Sequence, residues 1–447
     1  FGNDTSQYLF LTPSSGAGTL RFAIKNGGSE QLLEAASLPV GQWWHVAVTL
    51  SNNVARLYTN GVVAASSTTF SILPSHFNPR RNYLGKSQYP ADPLFRGRLD
   101  EVVLTHFALS GAEIAALLTN QPPASDIGDG TWVFDGSALW SDTTRWSGGL
   151  VANGAGYTAD FSTLNITGNR SVVLNSSRSL GRLKFGDTSG GQTWTLLSAS
   201  GSVLTLDSGS GASPGIVVNQ NTTTISAPLG GGKGLIKSGG GTLVLSGSNS
   251  VSGTLYVDTS STTANEGIVR LASPLAVGGF SAISIRNNNS GSSTLQLEGS
   301  SGGITAPAVS LSGRNTNVVA IQNVAGSNSI GGLTVNVGGS FYVLQSDAGT
   351  LKLGGIVSSA AGGTRTLTLR GPGDFNVSGS IQNGSATVGL VKDGPGTLTL
   401  AGVNTYTGPT TVSNGALVVN GSVGAGGVVV AGGRLGGAGS IAGAVTV

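Results

Sequence analysis

Gly234-Leu-Ile-Lys-Ser-Gly-Gly-Gly-Thr-Leu-Val-Leu-Ser-Gly-Ser-Asn249 returns 155 residues later as Gly389-Leu-Val-Lys-Asp-Gly-Pro-Gly-Thr-Leu-Thr-Leu-Ala-Gly-Val-Asn404. Lys237 matches Lys392, Gly253 matches Gly408 and Val257 matches Val412. Each block closes on a short run that alternates in and out, Thr242-Leu-Val-Leu245 and Thr397-Leu-Thr-Leu400. Similar runs lie on either side and between: Thr254-Leu-Tyr-Val257, Thr294-Leu-Gln-Leu297, Thr350-Leu-Lys-Leu353, Thr366-Leu-Thr-Leu369 and Ala416-Leu-Val-Val419. A strand this short cannot fold alone, so each run must stack on a neighbour. No helical pattern separates them. Gly, Ser and Asn supply tight corners, and stacked parallel strands would rise about 4.8 Å per coil. The pattern predicts a solenoid with about 20–25 residues per coil. The same signals also fit a series of antiparallel sandwiches with Gly-rich turns.

The two blocks resemble the autotransporter-associated β-strand repeat, a Gly-Leu-x-Lys-x-Gly-x-Gly-x-Leu core followed by Asn-x-Tyr-x-Gly. The second copy carries Tyr406 at the aromatic position, and the first has Val251 there. Gly130-Thr-Trp132, Trp140-Ser-Asp142 and Arg145-Trp-Ser-Gly148 look like the Trp-bearing lead-in of such arrays. The resemblance implies a right-handed parallel β-helix over residues 130–447.

The first part of the chain differs in composition. Residues 1–120 hold 10 of the 73 Gly and all three His. The break falls at Asn120-Gln-Pro-Pro-Ala-Ser125, a linker-like stretch within residues 120–129. Gln42–Leu50 and Asn53–Tyr58 read as strands, and Asn60-Gly61 signals a type I′ hairpin turn. Ser110 and Glu113 have capping-box spacing, which predicts a short helix. Gly41-Gln-Trp-Trp-His-Val-Ala-Val-Thr49, Arg56–Gly61, Asn82–Gly85 and Phe95-Arg-Gly-Arg-Leu-Asp-Glu-Val102 together resemble the laminin G-like, concanavalin A-type jelly roll, covering residues 1–119. The resemblance implies a sandwich that Phe1 enters part-way through. The whole chain is therefore expected to be all-β, a jelly-roll β-sandwich followed by a parallel β-helix.

Composition narrows the function. With no Cys, a disulfide scaffold and a Cys-ligated metal are both excluded. Charged residues make up 10%, against about 25% in an ordinary domain, and the net charge is +3. No basic run suits nucleic acid, and no apolar stretch is long enough for a membrane helix. Gly230–Gly234 mimics a phosphate loop, but Ala227 and Gly234 break its pattern. His45 reads as a packed strand-edge residue, while His76 and His106 have no evident partners. No catalytic set emerges, so an enzyme is not expected.

Trp44, Tyr83 and Tyr89 are the candidates for stacking a sugar ring. Asp4 and Asp100 are the candidates for calcium, a hard cation that takes oxygen ligands, while Asp92 is weaker. The expected protein is an extracellular or cell-surface structural or adhesive protein of bacteria: a stiff stalk bearing a jelly-roll head. Val447 ends inside a strand pattern, so self-association is expected, head to tail or by strand exchange. A carbohydrate-binding adhesin is the alternative, and a polysaccharide-degrading enzyme ranks below both.

Overall fold

The computed structural model describes residues 1–99, 102–105, 108–119, 128–199, 201–257, 267–286, 293–300, 302–358 and 362–447. The chain divides into two units, Phe1–Ser125 and Asp126–Val447.

The first unit carries two antiparallel sheets of three strands. One joins β1 (Gln7–Thr12), β2 (Leu20–Asn26) and β3 (Gln31–Ala35). The other joins β4 (Val46–Ser51), β5 (Val54–Thr59) and β6 (Val62–Ser67). Alternating side chains put Phe22, Ile24, Leu33, Ala55 and Leu57 into one core with Phe70 and Phe77. The hairpin at Asn60-Gly61 forms as read, with φ of 46° and 78°. A second tight turn at Asn52-Asn53 also uses positive φ, 52° and 64°. The helix α1 (Gly111–Thr119) opens on the expected box: the Ser110 amide donates to Glu113 Oε2 at 2.6 Å, and the Glu113 amide to Ser110 Oγ at 3.3 Å.

One expected strand is shorter than read. The strand expected from Gln42 begins only at Val46. In the Phe95–Val102 motif the described residues lie in no strand, and Leu99, Val102, Val103 and Leu104 are exposed. No described strand pairs with this segment, so nothing draws its apolar side chains inward.

The second unit is a β-solenoid. Its rungs are parallel throughout: Arg170 pairs Trp194, Thr222 pairs Thr242, Thr242 pairs Ile268 and Thr397 pairs Ala416. Coil length varies, from 34 residues between Ala138 and Val172 to 17 between Val428 and Val445. Leu243, Leu245, Leu295, Leu297, Leu367, Leu369, Leu398 and Leu400 point inward into one continuous core. At its start Trp132, Trp140, Trp146, Phe161, Phe185 and Trp194 are all buried. The Phe161 and Phe185 rings stack at 5.1 Å with an interplanar angle of 8°, one coil above the other.

The two repeat blocks fold alike but lie on different faces. Lys237 sits in a column that continues through Val257, Ile285, Leu311, Val335 and Ser358. Lys392 sits in the column of Leu369, Leu344, Ile321, Leu295, Val269 and Leu243. That second column passes through the Thr242–Leu245 strand of the first block. The intervening chain thus makes whole turns and one face more.

Candidate functional site

The repeat motif builds a corner around a buried ammonium. Lys237 and Lys392 are both fully buried. Lys237 Nζ donates to the carbonyls of Gly239 and Gly241, each at 2.5 Å. Lys392 Nζ donates to Gly394 O at 2.6 Å, Asp393 O at 3.1 Å and Asn414 O at 3.4 Å. An ammonium left bare in a core would be very costly, so the carbonyl cage is what makes the burial tolerable. Burial holds the Lys392 pKa below the usual lysine range. Gly239 and Gly394 turn the corner with φ of 85° and 81°. A Cβ on Gly396 would stand 2.1 Å from Gly373 O of the coil below, which accounts for the third glycine of the motif.

The motif asparagine ties coils together. Asn404 Oδ1 accepts from the Ile381 amide at 2.8 Å, and its Nδ2 donates to Gly402 O at 2.9 Å and Ser422 O at 2.7 Å. Asn249 does the same between the Leu229 amide, 3.1 Å, and Ala276 O, 3.0 Å. Tyr406 is buried with its hydroxyl 2.6 Å from Thr410 Oγ1, and burial pushes its pKa up to about 12. These groups are sequestered from solvent, so the motif does structural chemistry.

Asp187 is buried, its Oδ1 accepting from the Ile166 amide at 3.1 Å, while other acids of this unit work at its surface. Asp135 takes Arg170 Nε at 2.7 Å and Thr167 Oγ1 at 2.8 Å, and the arginine bond first, then the threonine, lowers its pKa to about 2. Asp142 Oδ1 accepts from the Thr144 amide at 3.1 Å, and Asp160 Oδ2 pairs with Lys184 at 3.3 Å. Among the described residues, no three His, Cys, Asp or Glu side chains gather as a metal set.

The first unit holds the sugar-stacking and calcium candidates. Trp44 is half-buried ahead of β4. Tyr83 is 36% exposed, with the Lys86 ammonium 5.1 Å above its ring. Tyr89 is 38% exposed, meets Tyr8 edge-on at 5.9 Å, and places its hydroxyl 3.3 Å from the Tyr8 hydroxyl. Tyr8 in turn donates to Glu30 Oε1 at 2.6 Å; burial first, then that bond, raises its pKa. No ring contact joins Trp44, Tyr83 and Tyr89 among the described residues. Asp4 closes a local turn, its Oδ1 accepting from the Ser6 amide at 2.7 Å, Ser6 Oγ at 2.6 Å and the Gln7 amide at 3.1 Å. Asp92 caps a bend, its amide donating to Tyr89 O at 3.2 Å. Asp100 and His106 lie outside the described residues. His45 stands at the strand edge, its amide donating to Asn60 Oδ1 at 3.0 Å.

Residues 1–115 match the family model of the concanavalin A-like lectin/glucanases superfamily. Residues 235–271 and 390–419 match the passenger-associated-transport-repeat. An all-β chain with this pairing of parts, its repeats wound into a solenoid, fits an extracellular, autotransporter-like passenger, secreted or held at the cell surface. No curated protein matches the chain. Among solved structures it is similar to an S-layer domain-containing protein (residues 221–444) from Clostridium thermocellum ATCC 27405, at 31% identity and a TM-score of 0.17. That match spans 26% of this chain and 60% of the other. No helix among the described residues is long and apolar enough to cross a membrane.

Proposed function

We infer that the protein is a structural, non-catalytic surface passenger, in which the solenoid is a stiff stalk and the concanavalin A-like unit is the part that meets other surfaces. One observation carries this reading: the parallel ladder runs from Ala138 to Thr446 over one uninterrupted core. Its buried polar groups serve the stacking, and its surface acids hold backbone amides and arginines. Such a ladder suits load-bearing more than turnover.

Adhesion is tested with beads coated in the full chain. They are expected to attach to bacterial or host cell layers above albumin-coated controls; equal attachment would remove the adhesive role. Copies are expected to associate, by strand exchange or head to tail, so sedimentation velocity should show larger species as concentration rises. A single monomeric boundary throughout would end that part. Release of reducing ends or unsaturated uronate from a polysaccharide panel would overturn the non-catalytic reading. A second reading, glycan capture by the first unit, draws support from the exposed rings of Tyr83 and Tyr89 and from the lectin-type family match. It predicts glycan-array hits that Trp44→Ala and Tyr89→Ala weaken.

A further inference from the structure

One outer face of the solenoid carries a column that neither the repeats nor the first unit explains. On five consecutive rungs the outward residues are Arg270, Gln296, Gln322, Gln345 and Arg370, paired in direct register. Glu298 and Asp347 stand two positions further along their own chains on the same face. The side chains bond from rung to rung. Arg270 Nε donates to Gln296 Oε1 at 2.8 Å, Gln296 Nε2 to Gln322 Oε1 at 2.8 Å, and Gln322 Nε2 to Asp347 Oδ2 at 2.5 Å. From the other end Arg370 Nε donates to Gln345 Oε1 at 3.0 Å, and Gln345 Nε2 to Asp347 Oδ1 at 2.7 Å. Donors thus converge on one carboxylate from both ends.

The column lies in a trough. Outward side chains on a single-layer solenoid should be exposed, yet Thr294, Gln296 and Val343 are buried. A wall stands at the edge where these strands begin. Arg314, itself buried, donates through Nη1 to Val319 O at 3.2 Å and through Nη2 to Ser293 O, and its backbone pairs with Phe341 at 3.2 and 3.0 Å. Phe341 shares the outward side of its strand with Gln345 and is 41% exposed.

We propose that this trough binds an extended, neutral, hydroxyl-rich polysaccharide. The rungs repeat about every 4.8 Å, close to the length of one pyranose in an extended β-linked chain, so successive sugars would meet successive amides. The partly exposed Gln322 and Gln345 amides each use one N–H and one lone pair within the column and keep another of each for a hydroxyl, while the buried Gln296 holds the column together. Arg370 keeps both Nη groups. Phe341 offers a ring face for a pyranose to pack on. Within the column two arginines face two carboxylates, and the Arg314 guanidinium in the wall is turned to backbone carbonyls, so little charge is left to draw a polyanion. The residues of this site all belong to the second unit, so the proposal does not rest on either reading of the first.

The test uses the full chain with cellohexaose and xylohexaose as probes and a galacturonate hexamer as the anionic control, followed by saturation-transfer NMR and calorimetry. At least one neutral hexamer is expected to bind in preference to the anionic one. Phe341→Ala with Arg370→Ala is expected to weaken it roughly tenfold, the effect of losing one charge-assisted bond and one stacking face, with the melting temperature unchanged. Gly211→Ala, where an added Cβ meets nothing within 4 Å, should leave binding intact. Hydrogen exchange on the unmodified chain should slow at 294–298, 319–323, 341–347 and 366–370 on adding the hexamer, whatever the double variant does to folding. No binding of either neutral hexamer, preference for the anionic one, full binding by the folded double variant, or protection elsewhere would overturn the proposal.

Discussion

At the scale of single residues, the molecule depends on charges placed where they must be answered. Replacing Lys392 by Met keeps the bulk but leaves the carbonyls of Asp393, Gly394 and Asn414 without their donor. The expected loss is about 1–3 kcal/mol in urea unfolding. The pH dependence has a definite sign. Burial lowers the folded pKa of Lys392 below 10.5, so between the two values the unfolded chain holds the extra proton and stability rises with pH. The margin of the wild type over Lys392→Met should therefore widen toward pH 10.5. Asp135 works in the opposite range. Its folded pKa is about 2 against an ordinary 3.8, so its contribution is full above 3.8 and disappears as pH falls through 2. Asp135→Asn should flatten the acid limb of the unfolding curve there, and an unchanged limb would show that the Arg170 bond contributes nothing.

At the scale of strands and corners, glycine position decides what the coil tolerates. Gly396→Ala drives a Cβ to 2.1 Å from Gly373 O, a backbone atom that cannot swing aside, whereas nothing lies within 4 Å of a Cβ on Gly211. Gly396→Ala should cost about 1–3 kcal/mol by overpacking and Gly211→Ala almost nothing, compared in one denaturation series. How much was legible follows the range of the signal. The Ser110–Glu113 box and the Asn60-Gly61 turn could be read because their partners are three residues apart or adjacent. The lysine cage could not, because Lys is ordinarily solvated and its acceptors include a carbonyl one coil away. The Arg270–Arg370 column was hidden too: its members recur at 26, 26, 23 and 25 residues, and uneven coils erase any fixed period. The sugar-stacking candidates rest on residue chemistry alone. Tyr83 lies under the Lys86 ammonium and Tyr89 meets Tyr8 edge-on, contacts that no spacing in the sequence announces.

At the scale of the whole molecule, the two units hold separate cores. Calorimetry of the full chain should resolve two transitions, and residues 126–447 expressed alone should keep a β-type circular dichroism spectrum and melt cooperatively through nearest-neighbour coils. A fragment without structure would mean that the solenoid depends on the first unit. That the four-residue runs stack was readable because strands so short must pair with neighbours, while their parallel direction came from the repeat resemblance. The displacement of Lys237 and Lys392 onto different faces was not, since an echo in sequence reports local bends and says nothing about how far the chain has rotated between them. A gene that grew by copying this 155-residue block would therefore not lay its decorations in a straight row. Successive copies would march around the axis like treads on a spiral stair, and neighbouring surfaces would meet each of them from a new direction.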